Sequence, residues 1–107
     1  MRAALEKLLA GGRDDALLRF SLGSACLKEG DAESAAMHLQ QAVTHDAGYS
    51  AAWKLLGQAH AALGRAGPAA QAWERGIEAA TTHGDIQAAR EMQVFLKRLR
   101  KQDRGID

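Results

Sequence analysis

"SAAWKLLGQAHAALGRAGPAAQAWERG", residues 50–76, decides how the chain is read. The stretch is dense in Ala and Gly, yet it holds Trp53 and Trp73, the sequence's 2 tryptophans. Alanine favours helix, and small side chains let two helices approach closely. Each indole then fills a larger hole that the small residues leave between the helices. Leu55, Leu56, Ala59 and Leu63 recur at helical spacing, as do Ala69, Ala72, Trp73, Ile77 and Ala80. Between the two stripes, Gly64-Arg65-Ala66-Gly67 lacks the length and the Lys-Ser/Thr ending of a phosphate-binding loop, so it reads as a turn. Pro68 follows where a first helical turn tolerates proline. Residues 50–76 therefore read as a helical hairpin.

The same pattern stands 34 residues earlier. Leu22-Gly23 aligns with Leu56-Gly57, Ala25 with Ala59, Cys26 with His60, and Gly30 with Gly64. Ala35 aligns with Ala69, Ala36 with Ala70, and Leu39 with Trp73. Gly23 and Gly57 cost helix propensity in mid-helix, and a close helix crossing explains that cost in both copies. Two helices joined by a short turn and recurring at this period predict a solenoid of helical hairpins.

Gly and Gly-Asp punctuation divides the rest. The spacing predicts helices over 2–10, 15–29, 32–46, 50–63, 68–82 and 86–102. Asp31, with Glu33 in the first turn, suits a helix start, and Asp85 can cap the last helix. No alternating β pattern is present. The fold class is all-α, with about five main helices and a short N-terminal helix.

These residues resemble the tetratricopeptide repeat. Trp53, Leu56-Gly57, Gly64, Ala69 and Trp73 look like its Trp, Leu-Gly, turn Gly, Ala and large-aromatic positions. Leu22-Gly23, Gly30, Ala35, Leu39 and Ala42 look like the same frame one unit earlier. Arg19 stands in place of the first Trp, Cys26 and His60 in place of the usual Tyr, and Gly76 in place of an Ala. The unit-ending proline is absent at Ala47 and Thr81. The resemblance implies a short right-handed array of antiparallel hairpins. Its parts are an N-terminal cap at 1–14, repeats at 16–49 and 50–83, a capping helix at 84–102 and a tail at 103–107. Ala88, Ala89, Met92, Phe95, Leu96 and Leu99 would face inward from the last helix. Leu5, Leu8 and Leu9 would cover the other end.

Composition excludes several classes. The formal net charge is +1 over 107 residues, which gives no global case for nucleic acid. One cysteine excludes an intramolecular disulfide framework. No apolar run reaches membrane-spanning length, and Glu6 and Lys7 interrupt the N-terminal patch, so a soluble, cytoplasmic protein is expected. Cys26 lies at a core position of the repeat frame, where a thiol is inert. His60 occupies the matching position and reads as packed or bonded, while His38, His45 and His83 read as end or outward residues. Asp14 and Asp15 read as cap signals. No HExxH spacing or second thiolate supports a metal. No cofactor, metal or catalytic turnover is expected. The remaining enzymatic alternative is a thiol or histidine activity at Cys26 and His60.

What remains is interaction. In the resembling family the first helices of each unit line a concave face. Carried over, that face comprises Leu17, Phe20, Ser24, Leu27 and Lys28, then Ala51, Lys54, Gln58, Ala61 and Ala62, with Met92 and Phe95 from the closing helix. This apolar floor with lysines suits a peptide helix or an extended acidic-hydrophobic segment of a protein partner. The family's carboxylate clamp is not matched, since Phe20 and Ser24 stand in its first-unit places and no matching basic pair follows at Asp85 and Ala89. The cationic run "LKRLRKQDR" reads as a solvated face, with an acidic surface or weak RNA contact as the alternative. Self-association into a homodimer is the structural alternative.

Overall fold

The computed structural model describes residues 1–103, and the helices in it are bounded by the residue types that bound helices generally. They are α1 (Arg2–Ala10), α2 (Ala16–Lys28), α3 (Ala32–His45), α4 (Ser50–Ala62), α5 (Ala66–Thr82) and α6 (Ile86–Asp103). Carboxylates set three of the starts. Asp15 accepts from the backbone N–H of Leu18 at 2.8 Å, Asp31 from Ser34 at 3.1 Å and Asp85 from Ala88 at 3.1 Å. Each bond satisfies a donor that the first turn leaves open. Helix α5 begins at Ala66, two residues before the expected start, so Pro68 is its third residue. It still lies within the first turn, where its missing N–H costs nothing.

Glycine sets the stops. Gly30, Gly64 and Gly84 take φ of 81°, 74° and 75°, a region L side chains avoid. The next residue's N–H then closes back on the helix: Asp31 to the Cys26 carbonyl at 2.9 Å, Arg65 to His60 at 2.9 Å, Asp85 to Ala80 at 2.8 Å. The α3–α4 connection is built differently. There Asp46 accepts from the Gly48 N–H at 2.9 Å, and the Trp53 indole donates to the Ala47 carbonyl at 2.8 Å.

Helices pair α2 with α3 and α4 with α5, the two pairs stack through α3 and α4, and α6 lies on α5. The result is an elongated slab of 47 × 29 × 18 Å, all-α throughout the described residues. Mid-helix glycines control the spacing. A Cβ on Gly23 would sit 2.7 Å from Leu39 Cδ2, and one on Gly57 would overlap the Trp73 indole. These are equivalent positions of the two hairpins. Within the second hairpin the relation is reciprocal, because a Cβ on Gly76 would lie 2.8 Å from Trp53 Cβ. Each helix of that pair sets a tryptophan against the other's glycine, by the ring at Gly57 and by Cβ at Gly76, where the Met92 sulfur of α6 also presses in.

Two apolar clusters result. The first joins Cys26, Leu39, Val43, Trp53 and Leu56 across α2, α3 and α4. The second joins Ala69, Trp73 and Ala80 of α5 to Ala89, Met92 and Leu96 of α6. Helix α6 thereby hides the open side of the second hairpin, with Ala88, Phe95 and Leu99 half-buried at its edges.

Two expectations are corrected here. Helix α1 buries no residue, and Leu8, expected over the open end, is 45% exposed. Its seat is polar: Arg2 reaches Asp31 at 3.0 Å and Glu29 at 3.2 Å. His38, expected to face outward, is buried. It accepts at Nδ1 from Arg19 at 3.0 Å, a pairing across the hairpin that helical spacing alone does not reveal. The expected tail at 103–107 falls, from residue 104 onward, outside the described residues.

Candidate functional site

Helix α4 turns Lys54, Gln58 and Ala61 toward α6, because residues three and four apart share a helix face. From α6, Phe95, Leu99 and Gln102 recur at the same spacing. Between the two helices lies a groove of about 270 Å³, lined by Gln58, Ala61, Phe95, Arg98, Leu99 and Gln102, with Trp73 beneath. A further hollow of about 220 Å³ shares Ala61, Leu99 and Gln102 and reaches Gly64 and Ala66 at the α4–α5 turn.

The floor is rigid. Trp73 is buried, its indole N–H donates to the Lys54 carbonyl at 3.1 Å, and its ring lies 5.4 Å from that of Phe95. At the other end of the groove Lys54 Nζ meets Glu91 at 3.3 Å and ties α4 to α6. Arg98 stands on the rim of the apolar floor. The chemistry on offer is an apolar slot edged by a guanidinium and two amides.

Of the residues expected to bind a partner, the structure brings Gln58, Ala61 and Phe95 together in this groove. Met92 is excluded. It is 0% exposed, with its sulfur against Gly76. The apolar stripe of α6 cannot by itself distinguish a residue that seals the core from one that faces the groove. The first-unit residues do not line the groove. Phe20 is half-buried and stacks on Tyr49 with ring centroids 4.9 Å apart, and Leu27 packs against the first core cluster. Ser24 and Ala51 are half-buried, Leu17 and Lys28 exposed, and Ala62 lies exposed at the end of α4. Sequence reasoning missed Arg98, Leu99 and Gln102 as lining. The i, i+4 pairing of Arg98 with Gln102 beside Phe95 and Leu99 is the signal that could have found them.

A larger concavity, about 460 Å³, lies elsewhere, between α3 and α5. Its floor is α4, through Trp53, Leu56 and His60. It has a wetter lining than the α4–α6 groove and lies outside the expected face.

Cys26 is fully buried, and burial pushes its thiol pKa up, away from the reactive thiolate. No hydrogen bond joins Cys26 to His60 among the described residues, and no group of three His, Cys, Asp or Glu there could hold a metal. No helix among them is long and apolar enough to cross a membrane.

Two helical hairpins in register, sealed by an amphipathic final helix, place the chain among the helical-repeat arrays. The sequence model of the tetratricopeptide repeat matches residues 26–92, and the chain belongs to that family. A tetratricopeptide-repeat-containing protein of Pseudomonas aeruginosa is 58% identical over 99 residues, covering 92% of this chain and 94% of its own. A protein of Bordetella parapertussis solved in solution is 43% identical, superposes with a TM-score of 0.82, and covers 96% of this chain and 90% of its own. Repeats of this family typically mediate protein–protein interactions.

Proposed function

We propose that the chain is a non-enzymatic adaptor that binds a segment of another protein in the groove between α4 and α6. The observation that carries this is the slot over Trp73, with Phe95 and Leu99 on one wall and Arg98 on its rim. An apolar floor edged by one cation suits an acidic-hydrophobic segment, whose apolar side chains enter the slot while a carboxylate meets Arg98. The rigid floor lowers the ordering cost of binding.

The test is affinity capture from native lysate with the wild-type chain and an Ala61→Glu/Arg98→Glu variant. A specific partner held by the wild type and lost from the folded variant is expected. A partner retained equally by both would overturn the groove assignment. No partner at any stoichiometry, with light scattering showing a tight dimer, would overturn the adaptor reading.

A further inference from the structure

The N-terminal helix sits on an apolar face of α2 that it fills incompletely. Leu18, Leu22 and Ala25 recur at i, i+4 and i+7 along one side of α2 and are 1%, 0% and 7% exposed. Neither apolar cluster includes them, whereas Phe20 and Leu27, on nearly the opposite side of α2, pack against the first. Helix α1 covers the Leu18 side. Among the helices described it packs on α2 alone, and its half-buried residues Arg2, Leu5 and Leu9 share one face.

The cover is held loosely. No residue of α1 is buried, and Leu8 stays 45% exposed. The charged anchor, Arg2, is shared between Glu6 of its own helix at 3.2 Å, Glu29 at 3.2 Å and Asp31 at 3.0 Å. Ion pairs at the surface contribute little each. The link to α2 passes through Gly11 and Gly12, the latter at φ 105°, a joint of small residues about which a helix can swing. Helix α1 is also the shorter of the two, about 13 Å against about 20 Å for α2.

We infer that α1 is a displaceable strap, and that the α2 face beneath it receives an amphipathic helix of a partner protein. The chemistry of that helix is read from the strap: a cation, then leucine-like side chains three and seven residues later, in the order of Arg2, Leu5 and Leu9. The cation meets Glu29 and Asp31, and the apolar pair covers Leu18 and Leu22. A helix suits this face because it satisfies its own backbone groups, and α2 offers only side chains there. A longer helix with larger side chains beside the leucines gains apolar area that α1, flanked by Ala3, Ala4 and Ala10, leaves unused. A second copy brings only the same α1, with no advantage over one already tethered at an effective concentration on the order of millimolar.

The probe is the strap sequence as a free peptide, acetyl-MRAALEKLLAGG-amide, titrated into the ¹⁵N-labelled full chain. It should shift the amides of Leu18, Leu22 and Ala25 and leave the Trp73 indole, which floors the α4–α6 groove, unmoved. Arg2→Glu in the chain loosens the tethered strap and leaves Glu29 and Asp31 in place. That variant should bind the peptide up to about tenfold more tightly than the wild type, the range of one or two exposed ion pairs. Leu5→Ala/Leu9→Ala, changes on a helix that buries no residue, should tighten binding in the same direction. A peptide with Glu in place of its Arg should bind each chain more weakly. Equal affinity of the peptide for the wild type and both variants, shifts confined to helices other than α2, or no shift in any chain with the peptide at about 10 mM would each overturn the proposal. A wild-type dimer that grows with concentration and is lost in Leu5→Ala/Leu9→Ala, seen by light scattering, would assign this face to a second copy and overturn it as well. Because Trp73 reports separately, failure here leaves the groove standing, and failure of the groove leaves the strap standing.

Discussion

The two hairpins place the same glycine at the same point and fill the space around it with different chemistry. In α4–α5, the Trp73 indole covers Gly57, Met92 and the Trp53 Cβ crowd Gly76, and Arg75 lies over the Trp53 face. In α2–α3, Leu39 covers Gly23, and Arg19 stands where the second hairpin has Trp53. Its guanidinium grips both Asp14 oxygens at 2.8 and 2.9 Å and donates to His38 at 3.0 Å, while Asp14 also accepts from His45 at 2.9 Å. The aromatic filling rests on shape and on indole N–H bonds to backbone carbonyls, whereas the polar filling also depends on the protonation state of a buried histidine.

The largest effect that tests this contrast is Trp73→Ala. It removes the cover of Gly57, the partner of Phe95 and the floor of the groove at once. Chemical denaturation should show a loss of about 3–5 kcal/mol, the range for truncating a buried aromatic. A loss below about 1 kcal/mol would mean that the second hairpin does not rest on its indole.

Next come the glycines themselves. Alanine gains up to about 1 kcal/mol of helix propensity over glycine, yet at Gly57 its Cβ collides with a rigid indole, and overpacking of this kind costs about 1–3 kcal/mol. Gly57→Ala should therefore destabilise. Gly23→Ala should destabilise less, because the Leu39 side chain, met at Cγ and both methyls, can shift its rotamer where a flat indole cannot. Equal melting shifts in the two variants would erase the distinction between the fillings.

Smallest is the response to pH. Burial lowers the His38 pKa, helped by the charges of Arg19 and Arg2 and opposed by Glu6 and Asp14. Burial also lowers that of His60, with Arg65 adding to the effect and Glu33 opposing it. Both are neutral in the fold, while the unfolded chain takes up protons from its ordinary value of 6.5. Below that pH the unfolded state binds more protons, so stability is whole above it and falls as acid approaches the folded-state pKa values. His38→Gln should remove part of this slope and His38→Gln/His60→Gln most of it, measured as melting temperature from pH 7 to pH 5. The carboxylates of Asp14, Asp15 and Asp31 are held below their ordinary range by their hydrogen-bonded partners, so their contribution is lost only in stronger acid. A wild-type chain with a flat profile in that window would refute the dependence on neutral histidines.

The fold was legible where local chemistry carries it. Asp31, Gly30 and Gly64 act through bonds spanning a few residues, so their positions mark the helix ends directly. The offset between Gly23 and Gly57 exposed the repeat because both glycines answer the same steric demand. The site was less legible because it depends on which neighbour claims a face. Met92 and Phe95 lie three residues apart on one stripe, yet the first seals the core and the second lines the groove. Arg98 and Gln102 resembled the solvated back of a cap until the crossing of α6 over α4 turned them toward a slot. His38 looked external because the side chain that holds it, Arg19, stands on another helix.

Helix α4 lies against α2, α3, α5 and α6, whereas among the helices described α1 packs on α2 alone. Long repeat arrays can lose terminal units one at a time, since each unit touches only its neighbours. Here a single helix borders both hairpins and the closing segment, so no cut across the slab leaves two pieces with intact interiors. The chain is built as an array but is short enough for its central helix to make it one cooperative unit, in which α1 alone can detach without unravelling the remainder.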